Sequence, residues 1–82
     1  MNTKQIEEAI LKIVTERGAE KSACPSEVAR QLFPDDWRDR MEEIRQVART
    51  LQRADKIRIT QGEYEFDKTE ELRGAIRLRS VV

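Results

Sequence analysis

The stretch Asp36-Trp37-Arg38-Asp39-Arg40-Met41-Glu42-Glu43-Ile44-Arg45-Gln46-Val47-Ala48-Arg49-Thr50-Leu51-Gln52-Arg53-Ala54 is the longest strongly patterned segment of this 82-residue chain. Trp37, Met41, Ile44, Ala48 and Leu51 recur at alternating steps of four and three, with Val47 at the margin, which is the spacing of one buried helical face. At about 100° per residue, Arg38, Arg45 and Arg49 fall in one sector roughly 120° from that face, with Gln52 and Arg53 at its edges. The pattern predicts a single helix over 36–54, capped by Asp35 or Asp36, with an apolar side and an arginine row.

Upstream, Thr3 to Arg17 places Ile6, Ala9, Ile10, Ile13 and Val14 on one stripe and predicts a first helix over 3–17, which Gly18 ends. Ala19 to Ala23 is then a short connector with room for one bridge to a later strand. Pro25, followed by Ser26 and Glu27, is a helix start signal, and Val28, Ala29, Leu32 and Phe33 give the second helix, over 25–33, its buried side. Pro34 cannot continue it, so the second and third helices meet at a tight joint.

Downstream, the period changes to alternation: Ile57 and Ile59 against Arg58 and Thr60, then Gln61-Gly62, then Tyr64 and Phe66 against Glu63, Glu65 and Asp67. This predicts a hairpin with strands over 57–60 and 63–67. With Gln61 and Gly62 as the turn residues, Thr60 faces Glu63, Ile59 faces Tyr64, Arg58 faces Glu65 and Ile57 faces Phe66. Asp67 to Arg73 is a polar connector, and Ile76-Arg77-Leu78-Arg79 alternates again as a candidate third strand over 76–79. The whole chain, 1–82, thus reads as one small α+β domain: three helices, a hairpin and a third strand, in the order of a winged-helix (helix-turn-helix) domain.

Composition narrows the function. With 38% hydrophobic and 39% charged residues, a chain of this length builds a thin core and has little room for an enclosed substrate cavity. Sixteen basic and sixteen acidic residues cancel, which removes the global basic excess of a nonspecific nucleic-acid binder. The charge is nevertheless uneven: residues 37–58 carry seven Lys/Arg against four Asp/Glu, whereas 1–36 carry five against seven and 59–82 four against five. One cysteine and no histidine exclude a disulfide framework, a Cys-His nucleophile pair and a familiar zinc site. The charged N-terminal segment does not read as a signal peptide, and no apolar run is long enough to span a membrane, so a cytoplasmic setting is expected.

Cys24-Pro25-Ser26-Glu27-Val28-Ala29-Arg30, the Trp37-Arg38 start of helix three, Ile59-Thr60-Gln61-Gly62 and Gly74-Ala75-Ile76-Arg77-Leu78-Arg79 together resemble a bacterial winged-helix family of unknown function, across nearly the whole chain. In that family a lysine usually stands between the glutamine and glycine of the turn, and a proline follows the glycine of the last motif. This chain has neither. The resemblance implies a fold and no activity.

These features point to a binding domain without cofactor, metal or catalysis, whose expected partner is duplex DNA. Arg38, Arg45 and Arg49 are the candidate contacts to phosphates or guanine edges, Gln52 and Arg53 extend that face, and Arg58 and Gln61 are candidates on the hairpin. The alternative is a protein-interaction or homodimerisation module, through helix one or through Ile76, Leu78, Val81 and Val82. Cys24 reads as a small half-buried residue, and the Asp35-Asp36 pair as a cap rather than a carboxylate dyad. Trp37 reads as a lid on the core, with base stacking as the sharper alternative.

Overall fold

The computed structural model describes residues 3–81. Among these, three α-helices, α1 (Thr3–Arg17), α2 (Pro25–Leu32) and α3 (Met41–Arg53), pack against a three-stranded antiparallel sheet of β1 (Ile57–Gln61), β2 (Tyr64–Glu65) and β3 (Arg77–Ser80). β1 lies in the middle, in the order β2-β1-β3. Ala23 adds one bridge on the far side of β3, with its N–H and C=O exchanging bonds of 2.8 and 2.7 Å with Leu78. The connector before α2 was expected to have room for one such bridge. This layout is compatible with a winged helix.

The core lies where the three helices meet the sheet. Ile6, Ile10 and Val14 of α1, Val28 and Ala29 of α2, Ile44, Ala48 and Leu51 of α3, and Ile57, Ile59, Ile76 and Leu78 of the sheet region are all buried. Each large aliphatic side chain removed from water here contributes about 1.5–3 kcal/mol, offset by the conformational entropy lost on ordering the chain.

The strands expected over 57–60, 63–67 and 76–79 run over Ile57–Gln61, Tyr64–Glu65 and Arg77–Ser80, and three further departures from the sequence pattern have a physical reason. The predicted 36–54 helix is two pieces, a 3₁₀ turn at Trp37–Arg40 followed by α3. The break falls at Arg40, whose φ of −101° and ψ of −1° lie off regular helical values. Asp36 does not cap the helix with its side chain; its carboxylate accepts from Arg40 Nε at 3.2 Å, and Arg40 also reaches Glu43 at 3.3 Å, so ion pairs span the joint. Second, α2 ends at Leu32, with Phe33 as its C-cap.

Third, the hairpin register differs by two residues: Gln61 pairs with Tyr64 and Thr60 with Glu65, so Gly62 and Glu63 form the turn. Gly62 has φ +61°, and a two-residue hairpin turn with glycine first needs left-handed backbone at that one position, whereas Gln61-Gly62 would have asked it of glutamine. A slip of two preserves which face each side chain occupies. Ile57, Ile59 and Phe66 therefore stay buried, but Tyr64 moves to the turn and is 53% exposed. Its ring meets Phe66 edge-on at 5.3 Å, and its hydroxyl donates to the Glu70 carboxylate, which raises the Tyr64 pKa and lowers that of Glu70.

Candidate functional site

The residues after Phe66 leave the sheet and return at Ile76 by a long irregular loop, 66–76. Irregular backbone raises an accounting question, because each carbonyl needs a donor or water. The loop answers it with side chains from α3 and β1. Arg45 donates to the carbonyls of Leu72 (3.2 Å) and Gly74 (3.1 Å). Arg49, one turn on, donates to those of Lys68 and Glu70, and Arg53 Nε donates to Lys68 at 3.3 Å. Every second carbonyl from Lys68 to Gly74 thus faces α3, with the loop running antiparallel to the helix. Gln52 Nε2 donates to Phe66 at 2.8 Å, and Gln61 Nε2 to Arg73 (2.8 Å) and Ala75 (3.1 Å).

Five of the residues singled out in the sequence, Arg45, Arg49, Gln52, Arg53 and Gln61, are therefore brought together, but around the chain's own main chain. The fork of a guanidinium suits this task, because its parallel N–H groups reach two acceptors at once. Gln52 is only 4% exposed, so it lies beneath the loop rather than on the edge of an open face; its Oε1 has no partner among the described residues.

Arg58 serves a second irregular segment. It donates to Ala19 and Ser80 carbonyls, both at 3.2 Å, and pairs with Glu65 at 3.4 Å. Arg79 lies directly across the ladder from Arg58 and also donates to Ala19. Directly opposed like charges destabilise a sheet, and here one carbonyl accepts from both guanidiniums and draws them to the same place. Arg17 and Arg77 both reach the Ser22 carbonyl.

Arg38 stands apart. The 3₁₀ turn takes it off the line of Arg45 and Arg49, and its guanidinium lies 4.6 Å from the Trp37 ring, while Arg30 of α2 lies 4.3 Å from the same ring. Trp37 is half-buried and packs on the core, as a lid would, with the two guanidiniums over its ring.

Between α3 and the loop runs an open groove of about 690 Å³, lined by Glu42, Arg45, Gln46, Arg49, Thr50 and Arg53 on the helix side and by Thr69, Glu70, Glu71 and Leu72 on the loop side. Gln46 and Thr50, which the sequence pattern did not single out, are exposed on its helical wall. The sequence does hold a signal for the grip on the loop. A row at roughly 120° from the buried stripe flanks the core rather than opposing it, which is where a neighbouring segment packs.

Ile76 and Leu78 are 1% and 0% exposed and belong to the core, so they form no dimerisation surface. Of that expected patch Val81 is 45% exposed, and Val82 lies outside the described residues. The exposed positions of α1, such as Lys4, Glu8, Lys12, Thr15 and Glu16, are charged or polar rather than apolar. Among the described residues no group of His, Cys, Asp or Glu is arranged to hold a metal ion, and no helix is long and apolar enough to cross a membrane.

Architecture and surface together define a small α+β domain whose polar face is organised by arginine. The chain belongs to the family described as protein of unknown function DUF3253, whose model matches residues 3–81. No curated protein matches it.

Proposed function

We propose that this is a non-catalytic winged-helix domain that binds duplex nucleic acid, DNA above all, along the outer face of α3. The supporting observation is the open groove beside α3. The loop covers one flank of the helix and leaves Gln46, Thr50 and Arg53 exposed, with the guanidiniums of Arg45 and Arg49 in the adjoining wall. Such a face offers both cations for phosphate and amides or hydroxyls for base edges. Arg45 and Arg49 contribute positive potential to this wall while they hold the loop.

A two-dimensional amide NMR titration with a random-sequence duplex of about 16 base pairs, at low and at higher salt, tests this, because phosphate binding weakens steeply with salt. Salt-sensitive shifts over residues 38–53 are expected. No shift at low salt overturns the proposal.

One observation favours a protein partner instead: Glu42, Glu70 and Glu71 line the same groove as the three arginines, so its charge is mixed. A mixed groove suits a polypeptide of mixed charge better than a polyanion. Duplex-insensitive spectra together with a concentration-dependent sedimentation mass would support a second copy of the chain as that partner.

A further inference from the structure

We propose that Arg30 and Arg38, stacked on Trp37 at the corner between α2 and α3, form a two-pronged clamp for two phosphates of a nucleic-acid strand. The inference rests on the nucleic-acid reading above and extends it to a residue of α2, with Trp37 as the positioning element.

The first argument is employment. The chain holds eleven arginines. Arg17, Arg40, Arg45, Arg49, Arg53, Arg58, Arg77 and Arg79 each donate to a carbonyl, carboxylate or hydroxyl. Among the described residues, the arginines that form neither a hydrogen bond nor an ion pair are Arg30, Arg38 and Arg73. Two of these three share one tryptophan. In a domain that uses its guanidiniums so fully as internal donors, two unspent ones held on a common ring are a distinct arrangement.

The second argument is geometry. A guanidinium stacked by its face on an indole keeps its N–H edge turned outward, and the stack restrains a side chain that would otherwise lose rotamer freedom on binding. Both arginines are exposed, and Trp37 is fixed against the core. In helix-turn-helix units the first helix of the pair crosses the sugar-phosphate backbone, which is the place of α2 and its Arg30 here. Asp35 and Asp39 share the turn, and the Asp36 carboxylate is held by Arg40. The attraction is therefore short-ranged and comes from two oriented forks, not from net charge.

Trp37 is the chain's one tryptophan, so its emission reports on the corner directly. The test measures Trp37 emission and the anisotropy of a fluorescein-labelled random duplex across a salt series. For the wild type, emission is expected to change in step with anisotropy. Arg30→Gln with Arg38→Gln is expected to lower the slope of log K against log salt by about two, one for each phosphate contact. Trp37→Leu keeps both charges but frees them, and is expected to weaken binding with the slope nearly unchanged. Arg73→Gln, which removes the third unspent arginine, is expected to leave emission and slope as they are, and circular dichroism checks that each variant is folded. If the wild type does not bind duplex, the nucleic-acid reading and the clamp fall together. If it binds and the double variant keeps the full slope, the clamp alone falls. An equal emission change with poly-glutamate would overturn the assignment to phosphate.

Discussion

The two irregular segments of the molecule, 18–23 and 66–76, are held by the same chemistry in different ways. In both, arginine forks close on main-chain carbonyls. At 18–23 the donors come from three elements, Arg17 of α1, Arg58 of β1 and Arg77 and Arg79 of β3, and the segment ends in the buried bridge of Ala23 to Leu78. At 66–76 the core holds the ends, through Phe66 and Ile76, and the middle depends on one face of α3 together with Gln61. The first segment is gripped from three elements and closed by a buried bridge, the second chiefly by one row of α3 side chains, with Gln61 and the Tyr64–Glu70 bond beside it. Local opening should follow that difference, with the loop exchanging its amides before the bridge does.

The contrast can be broken from the core outward. Phe66→Ala removes the buried ring at the base of the loop and should cost about 3 kcal/mol in urea unfolding, as large-to-small core changes do. A cost under about 1 kcal/mol would mean that the loop is not rooted in the core.

A smaller effect is expected at the first segment. Glu27 accepts from both arms of Arg17 and from the N–H of Cys24 at 2.7 Å, joining the end of α1 to the start of α2. Arg17→Met should cost about 1 kcal/mol, because the pair is a third exposed and screened by water. The same contacts, the Arg17 hydrogen bond first, hold the Glu27 carboxyl below its ordinary range. The unfolded chain therefore takes up this proton first as pH falls. The contribution should be complete above about pH 4.3 and fade below it, and it should shrink in the Arg17→Met stability profile, where the Cys24 N–H alone still bonds the carboxylate.

The smallest global effect, and the sharpest local one, belongs to Arg49→Met. Its bonds to Lys68 and Glu70, one exposed and one part-buried, are readily replaced by water, so the loss should be about 0.5 kcal/mol in all. Amide exchange should quicken across 68–74 while Ala23 and Leu78 keep their protection. Equal loss at both places would erase the distinction between the segments.

Much of this architecture is legible in the sequence because burial has a period. The stripe in α1, the proline start of α2 and the alternation around Ile57 and Ile59 each fix an element and a face. The hairpin slip was not legible from alternation, since a shift of two leaves every face unchanged; only the demand for left-handed backbone at Gly62 separates the two registers. The break at Arg40 depends on Asp36 and Glu43 converging on one guanidinium, a convergence that exists only after the chain has turned. The role of Arg45, Arg49 and Arg53 was hidden for a related reason: their acceptors are carbonyls, which every residue carries alike.

That indifference has a consequence for how the domain can vary. A grip on main chain is blind to the letters it holds, so much of Lys68 to Arg73 can be rewritten without loosening the fold, provided that Leu72 keeps its packing, Glu70 keeps the carboxylate that Tyr64 and the Asp67 N–H bond, and proline stays out. The molecule thus separates the part that must be kept from a part that is free to drift. The 66–76 loop is a natural place for related chains to diverge in what they recognise, and for an engineer to graft a new binding sequence.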